Sequence, residues 1–261
     1  MTFDDFVATH TPIKPYTLMD LDDTLFQTKR KLTDINQPLI TASHNKQDKP
    51  LSFFTRKQAH FFYWLHAHTT LIPVTARDRA EFARVKLPFD NLKVLTHGAV
   101  ILDKENKPLP AWEKHIATPL SALQSTLYTT LSTLQDLGDD FIITPHSDEF
   151  MGTDLMIYLA IKHRQKDHKT LSRLANKLMT MPNIEQDFYV HINANNLAIL
   201  PHFIHKRHAV AFLKSHYLPN TTPMFGFGDS LADLPFLSLL DWYGTPNRGQ
   251  LHNLIQQKSR P

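Results

Sequence analysis

Two aspartates separated by one residue follow an apolar run near the start of the chain, which reads Leu18-Met19-Asp20-Leu21-Asp22-Asp23-Thr24-Leu25. In an extended segment alternate side chains point the same way, so Asp20 and Asp22 face one site at the end of a strand. Two carboxylates this close repel each other unless a cation or shared chemistry compensates. Magnesium takes carboxylate oxygens and keeps phosphates and waters around it. The run therefore indicates a magnesium site with a nucleophile and an acid, and a capped turn is the alternative.

A second pair of acids follows another apolar run. Asp229 comes directly after Phe225-Gly226-Phe227-Gly228, and Asp233 lies four residues further on, in the first turn of a predicted helix. Ligands of open α/β sheets bind beyond the carboxyl ends of the strands, where Asp20, Thr75 and Asp229 are all predicted to stand. The alternatives are a simple turn residue for Asp229 and an acid favoured by the helix dipole for Asp233.

The elements that must position these residues alternate between strand and helix. The apolar patterns predict strands at 16–21, 71–75, 92–96, 99–102, 224–228 and 242–244, and helices at 55–68, 77–86, 206–216, 231–240 and 248–258. Residues 27–52 are polar and predict a long loop or hairpin. This alternation predicts an α/β fold with a Rossmann-like parallel sheet and helices on both faces.

The middle of the chain follows a different order. Helices are predicted at 119–137 and 167–181, and strands at 141–144, 155–161, 187–192 and 197–200. The resulting αββαββ order is typical of a small α+β domain with an antiparallel sheet. We therefore expect a core made of residues 1–103 and 202–261, with residues 104–201 inserted as a second domain.

Composition excludes several classes of protein. The chain has 261 residues and no cysteine, which excludes disulfides, thiol catalysis and cysteine-bound zinc. Its formal charge of +3 is not that of a dedicated nucleic-acid binder. No apolar stretch is long enough to span a membrane, and the first residues do not resemble a signal peptide. We expect a cytoplasmic protein without nucleic-acid or membrane partners.

The acidic and basic residues together resemble the motifs of the haloacid dehalogenase-like superfamily of phosphotransferases. The matching residues are, in order, Asp20-Leu21-Asp22-Asp23-Thr24-Leu25, then Thr75, then Lys206, then Gly228-Asp229-Ser230-Leu231-Ala232-Asp233. The inserted domain resembles the C2B cap of Cof-type sugar phosphatases, as do Thr75-Ala76-Arg77 and His97-Gly98-Ala99. Ala76, His97 and Ala232 depart from the residues that are usual at these positions.

This resemblance implies a magnesium-dependent phosphatase, a phosphoric monoester hydrolase with a catalytic core and a C2-type cap. It implies that Asp20 is the nucleophile and that Asp22 is the general acid and base. The resemblance also assigns phosphate binding to Thr75, Lys206 and Arg77. Magnesium ligation falls to Asp20, Asp22 through its backbone carbonyl, Asp229 and Asp233.

The inserted domain is expected to select the substrate, a small phosphate ester and specifically a sugar phosphate. Polar residues predicted on its connecting loops are the candidate contacts, namely His146, Asp148, Glu149, Asn195 and Asn196. Two other functions remain open: a phosphomutase with the same nucleophile, and a catalytically silent module that binds phosphate or sugar. The expected oligomeric state is a monomer or a homodimer.

Overall fold

The computed structural model describes residues 1–32 and 38–258, apart from the side chain of Asn183. These residues form two compact units. Unit 1 joins Met1–Lys107 to the chain from Lys206 onward, and unit 2 is Pro108–His205. That residues 104–201 act as a cap stays a prediction. Within the described residues, no helix combines the length and the apolar character needed to cross a membrane.

The first segment of unit 1 alternates strands and helices. Its elements are α1 (Phe3–Thr9), β1 (Tyr16–Met19), β2 (Gln27–Thr28), β3 (Ile40–His44), β4 (Pro50–Phe54), α2 (Arg56–His68), β5 (Thr70–Pro73), α3 (Arg79–Phe82), β6 (Lys93–Leu95) and β7 (Val100–Leu102). Helix α2 begins at a capping box, since Thr55 Oγ1 accepts from Gln58 N at 3.3 Å and Gln58 Oε1 accepts from Thr55 N at 2.8 Å. These bonds satisfy backbone donors that the first turn leaves unpaired.

Unit 2 confirms the predicted helix and strand order and adds a short helix. Its elements are α4 (Pro110–Gln135), β8 (Phe141–Phe150), β9 (Thr153–His163), α5 (His168–Met179), α6 (Pro182–Asp187), β10 (Phe188–Asn193) and β11 (Asn196–Pro201). The strands form an antiparallel sheet in the order β10-β11-β9-β8. The predicted start of α4 at residue 119 is wrong, because Pro110 occupies the first helical position, where a missing N–H costs nothing, and Pro119 lies inside the helix.

The chain then returns to unit 1. The returning segment consists of α7 (Lys206–His216), β12 (Met224–Phe227), α8 (Leu234–Leu237), β13 (Trp242–Gly244) and α9 (Gln250–Lys258). Strand β12 enters the sheet beside β1, and neither strand has an exposed residue. The second acidic pair therefore reaches the same sheet as the first, although the two are more than 200 residues apart in the chain.

The parallel sheet of unit 1 has the strand order β13-β12-β1-β5. Met19 at the end of β1 is opposite Phe227 of β12 and Pro73 of β5. The three strands consequently end at one edge, one residue before Asp20 and two residues before Asp229 and Thr75. The predicted α/β class, with a parallel sheet in one unit and a separate antiparallel sheet in the other, is confirmed.

Two predicted helices of unit 1 are single turns. Helix α3 ends at Phe82 instead of residue 86, because the backbone after it bonds to β3: His44 N donates to Arg84 O at 2.9 Å and Lys86 N donates to Ala42 O at 2.8 Å. Helix α8 covers only Leu234–Leu237 instead of 231–240. Residues 230–233 form a turn, in which Ser230 N donates to the Asp233 carboxylate at 3.1 Å.

The polar segment after β1 forms a small antiparallel sheet with the order β2-β4-β3. Strands β3 and β4 form a hairpin, which is one of the two predicted alternatives, a long loop or a hairpin. Its turn is held by Asn45, whose side-chain oxygen accepts from Gln47 N at 2.9 Å and from Lys49 N at 3.0 Å. Residues 33–37 of the predicted loop lie outside the described residues.

Candidate active site

Asp20 stands at the centre of the site, one residue after β1. Its backbone N–H donates to Phe227 O at 2.9 Å, which ties it to the neighbouring strand. The residue is 6% exposed. Oδ1 accepts from Lys206 Nζ at 2.7 Å, and Oδ2 accepts from Thr24 Oγ1 at 2.9 Å. Both carboxylate oxygens are therefore held in one orientation.

Lys206 is the first residue of α7 and is almost fully buried. Its ammonium donates to Asp20 Oδ1 at 2.7 Å and to Asp233 Oδ1 at 2.6 Å. A buried lysine of this kind needs carboxylate partners, because an unpaired ammonium is strongly disfavoured away from water. The lysine thus links the first acidic motif to the second.

The turn after β12 fixes Asp233. Ser230 donates to Asp233 Oδ2 twice, from its backbone N–H at 3.1 Å and from Oγ at 2.7 Å. Gly228 packs against the same side chain: a Cβ at this position would lie 2.6 Å from Asp233 Cβ. A side chain at residue 228 would displace this aspartate, so the glycine is required by close packing.

Asp229 completes the cluster. Its Oδ1 accepts from Thr24 Oγ1 at 3.4 Å, and its backbone carbonyl accepts from Leu251 N at 2.9 Å. Asp20, Asp229 and Asp233 each present a carboxylate oxygen within 4.8 Å of the others. Three buried carboxylates consequently surround one buried ammonium.

Burial and mutual repulsion shift the pKa values of this cluster. Burial raises the pKa of Asp20 to about 8, against the opposing charge of Lys206, and it raises the pKa of Asp229 to about 7. Burial also acts to raise the pKa of Asp233, but the ammonium of Lys206 and the bonds from Lys206 and Ser230 bring it below its ordinary value. The cluster by itself therefore holds protons that a bound cation would displace.

Thr75 and Arg77 lie on the loop that follows β5. Thr75 N donates to Val94 O at 2.9 Å, and its Oγ1 accepts from Arg77 N at 3.2 Å. The Arg77 guanidinium binds both oxygens of Asp22, with Nε 2.7 Å from Oδ2 and Nη2 2.8 Å from Oδ1. The predicted phosphate ligand Arg77 is thus paired with the predicted acid, and its phosphate contact stays a prediction.

Comparison with known proteins establishes the fold. No model of a protein family and no sequence of a curated protein matches the chain. Among solved structures, the sucrose-phosphatase of Synechocystis sp. PCC6803 has a TM-score of 0.56 at 13% identity, over 94% of this chain and 88% of that chain. The chain has the fold of the haloacid dehalogenase-like phosphatases.

Two further structures give the same result. The C-terminal domain of a trehalose-6-phosphate phosphatase from C. albicans has a TM-score of 0.54 at 17% identity, over 94% of this chain and 77% of that chain. A Thermoplasma acidophilum protein has a TM-score of 0.56 at 10% identity, over 94% of this chain and 90% of that chain. At these identities the comparison settles the fold, and the function rests on the residues themselves.

The five predicted substrate contacts all lie in unit 2. The predicted loop position is wrong for His146, Asp148 and Glu149, because β8 continues beyond residue 144 to Phe150 in its pairing with β9. His146 stacks on Tyr158 with ring centroids 4.4 Å apart. Asn195 lies in the turn between β10 and β11, where its amide donates to His163 O at 2.9 Å and accepts from His163 N at 3.3 Å. Asn196 begins β11. Asn195 therefore has a structural role, and substrate contact by the five residues stays a prediction.

Sequence reasoning missed three features of the site. Ser230 holds Asp233, and its place between the two aspartates of the second acidic motif was the available signal. Gly249 packs on Asp229, where a Cβ would lie 2.7 Å from its backbone oxygen. The turn Thr96–Gly98 has positive φ at all three residues and supports the loop after β5, since Thr96 N donates to Arg77 O at 2.8 Å. Such strain is found where the surrounding structure fixes a site.

Proposed function

We propose that this protein is a magnesium-dependent phosphatase that hydrolyses a sugar phosphate through a covalent aspartyl-phosphate on Asp20. The observation that carries the proposal is the buried charge of the cluster. The Lys206 ammonium pairs with Asp20 and Asp233, and Asp229 adds a third carboxylate beside them, so the ionised cluster has an excess of negative charge. A buried group of this kind is stable when a divalent cation balances it.

Magnesium fits this donor set, because it prefers oxygen ligands supplied by one or two carboxylates together with substrate phosphate. Asp20 and Asp229 would hold the ion, with the backbone carbonyl of Asp22. Each oxygen of Asp20 accepts one hydrogen bond, whereas Asp233 accepts three, two of them on Oδ2, so Asp233 would act on the ion through water and through the lysine. When bound, the ion neutralises phosphate charge and keeps Asp20 ionised.

The nucleophile is an ionised carboxylate in a fixed orientation. An oxygen of Asp20 attacks phosphorus, and the bond from phosphorus to the alcohol oxygen of the substrate breaks. Asp22 gives its proton to that departing oxygen and then takes one from the water that attacks the aspartyl-phosphate. Inorganic phosphate leaves, and Asp20 is regenerated. Asp22 must release Arg77 to do this, and its half-exposed position allows the exchange.

The phosphoryl group needs cationic and hydrogen-bonding partners, because charge spreads over its oxygens in the transition state. The Lys206 ammonium lies 2.7 Å from Asp20 Oδ1, and Thr75 follows β5, the strand beside β1, so both can supply such partners. Arg77 can add a bidentate contact to phosphate after it leaves Asp22.

The substrate class is supported by the named structural neighbours. The Synechocystis structure is a sucrose-phosphatase in complex with sucrose and phosphate, and the C. albicans structure is a trehalose-6-phosphate phosphatase. We propose a sugar phosphate for this chain also, with the five polar residues of unit 2 as contacts. A cytoplasmic location and a monomeric or homodimeric state belong to the same proposal.

Phosphate release tests this function. We expect release from p-nitrophenyl phosphate and from members of a sugar-phosphate panel in magnesium, and none with a chelator. Asp20→Asn should lower kcat by about 10⁴-fold or more, as loss of a nucleophile does. Asp23→Asn is the matched control, because Asp23 is adjacent in sequence but pairs with Lys31 instead of joining the cluster.

Three outcomes would contradict the proposal. Full activity of Asp20→Asn would show that another group is the nucleophile. Conversion of a sugar phosphate to an isomer with little free phosphate would favour the phosphomutase. Magnesium binding without turnover of any ester would favour a silent binding module.

A further inference from the structure

A cavity of about 630 Å³ lies in unit 1 beside the carboxylate cluster. Thr24 and Phe227 both line it. Thr24 hydrogen-bonds to Asp20 and Asp229, and Phe227 is the second residue before Asp229. The cavity therefore adjoins the reacting carboxylate, and its volume is that of a site for a small molecule.

The wall of this cavity is fixed to the metal-binding aspartate. The loop after β13 forms one side and runs into α9, where Leu251 N donates to Asp229 O at 2.9 Å. A Cβ on Gly249 would lie 2.7 Å from the same oxygen, so the loop packs directly against Asp229. The start of α2 forms another side. A ligand in the cavity would thus have a fixed position relative to the carboxylate cluster.

The lining is cationic and aromatic. Lys57 and Arg248 line the cavity, and the described part of the lining contains no acidic residue. The rings of Phe61 and Phe227 meet edge to face with centroids 5.2 Å apart. Gln58 adds an amide whose oxygen is held by Thr55. Cations attract an anionic group, and aromatic faces with amides suit the carbons and hydroxyls of a sugar.

We propose that this cavity binds the alcohol part of the substrate, and that this part is hydroxylated and carries a second anionic group, a phosphate or a carboxylate. The inference rests on the proposed function and deepens it. Lys57 and Arg248 pair with the second anionic group, while Phe61 and Phe227 pack against the carbon skeleton. Unit 1 therefore contributes to substrate choice through its own walls.

The test compares substrates that differ in the second charge. We would measure kcat/KM for glucose 1,6-bisphosphate, 6-phosphogluconate, glucose 6-phosphate and p-nitrophenyl phosphate, with Lys57→Gln, Arg248→Gln and the double variant. The ratio of kcat/KM for a sugar with two anionic groups to that for p-nitrophenyl phosphate should fall at least about tenfold for each cation removed. The bisphosphate and the phosphogluconate arms show whether phosphate or carboxylate is preferred.

Arg56→Gln is the matched control, since it removes the same charge from the same end of α2 but does not line the cavity. Ratios that stay unchanged in the Lys57 and Arg248 variants, or fall equally in Arg56→Gln, would overturn the inference. Calorimetric binding of glucose 1,6-bisphosphate to Asp20→Asn separates the two proposals. Tight binding that Arg248→Gln weakens, together with no hydrolysis of any ester by the unmutated protein, would retain the cavity as a ligand site and reject the phosphatase. Hydrolysis by the unmutated protein with no preference for a second anionic group would retain the phosphatase and reject the cavity as a ligand site.

Discussion

Two aspartates that are two residues apart in the chain lie in opposite surroundings. Asp20 is buried and both its oxygens are held, one by Lys206 and one by Thr24. The side chain of Asp22 is 49% exposed, and it has Arg77 as its ion-pair partner. The same residue type therefore has one fixed orientation in the first position and room to exchange partners in the second.

This difference matches the two roles that the reaction assigns. A nucleophile gains from one orientation, because correct alignment of the reacting atoms removes part of the barrier. An acid that donates a proton and then accepts one must approach the substrate and the water in turn. When two neighbouring carboxylates have such different surroundings, one typically acts as the acid and the other as the nucleophile.

The largest expected effect comes from removing the ammonium of the buried cluster. Lys206→Met leaves Asp20, Asp229 and Asp233 without their cation, which we expect to cost about 3–5 kcal/mol of unfolding free energy without magnesium. Urea denaturation measures this loss. Arg77→Met breaks the bidentate pair between the buried Arg77 and the half-exposed Asp22, and it should cost less, about 1–2 kcal/mol, because Asp22 remains in contact with water. Magnesium should reduce the stability difference between Lys206→Met and the unmutated protein, and it should leave the difference for Arg77→Met unchanged.

Equal losses in the two variants would remove the contrast between the buried and the exposed carboxylate. A loss in Lys206→Met that magnesium does not reduce would argue that the cluster does not bind the ion. Both results are obtained from the urea concentrations at the unfolding midpoints. The variants can be compared in this way when the slope of unfolding free energy against urea concentration is the same, because a changed slope indicates a changed unfolding transition.

The second effect concerns the packing that positions the cluster. Gly228→Ala places a Cβ 2.6 Å from Asp233 Cβ, so the turn must shift, and we expect a loss of about 1–3 kcal/mol. Thermal unfolding measures it. Gly244→Ala is the matched control, because its Cβ would meet only the Phe227 ring, at 3.1 Å and 3.3 Å. A stable Gly228→Ala protein with normal magnesium affinity would show that the close contact is not needed.

Much of the buried site could be predicted from the sequence, because each of its parts follows from a short local sequence pattern. Apolar runs that end in Asp20, Thr75 and Asp229 predict strand ends, and parallel strands bring their carboxyl ends to one edge. The pairing of Arg77 with Asp22 was not predictable in the same way. The two residues are 55 positions apart, and their contact depends on side-chain directions that no local pattern contains.

Helix lengths failed for a related reason. The helical pattern of residues 77–86 is real, but backbone bonds to β3 outcompete it after Phe82. Pro119 resembles a helix start, and Pro110 is an equally good one, so sequence alone does not choose between them. Tertiary contacts decide where α3 ends, and two equivalent local signals leave the start of α4 open. Helix propensity is too weak to fix either boundary.

A third effect is the pH dependence of magnesium binding. Burial raises the pKa of Asp20 to about 8 and of Asp229 to about 7, well above their unfolded values. The folded metal-free protein therefore binds more protons than the unfolded chain, and its stability falls as pH rises towards about 8. Magnesium requires the ionised carboxylates, so the rise in Tm that it produces should be larger near pH 8 than at roughly pH 6.

Thermal unfolding with magnesium and with a chelator across this range measures the effect. Asp20→Asn should reduce the dependence on pH, because it removes the group with the higher pKa, while Asp22→Asn should retain it. A magnesium-induced rise in Tm that is the same at every pH would show that protons and the cation do not compete for these carboxylates.

The smallest effect on stability, and the most informative one on mechanism, is expected for Asp22→Asn. Asp22 is half exposed, and an asparagine keeps one oxygen that can accept from the buried guanidinium of Arg77, so we expect a loss of about 1 kcal/mol and a retained fold. Hydrolysis should depend on the leaving group, because a sugar alcohol must be protonated as it departs whereas p-nitrophenolate need not be. We expect kcat/KM to fall by about 10²–10⁴-fold for the sugar phosphate and by much less for p-nitrophenyl phosphate. Asp23→Asn is the control, and equal losses on both substrates would assign Asp22 to orienting Arg77 instead of to proton transfer.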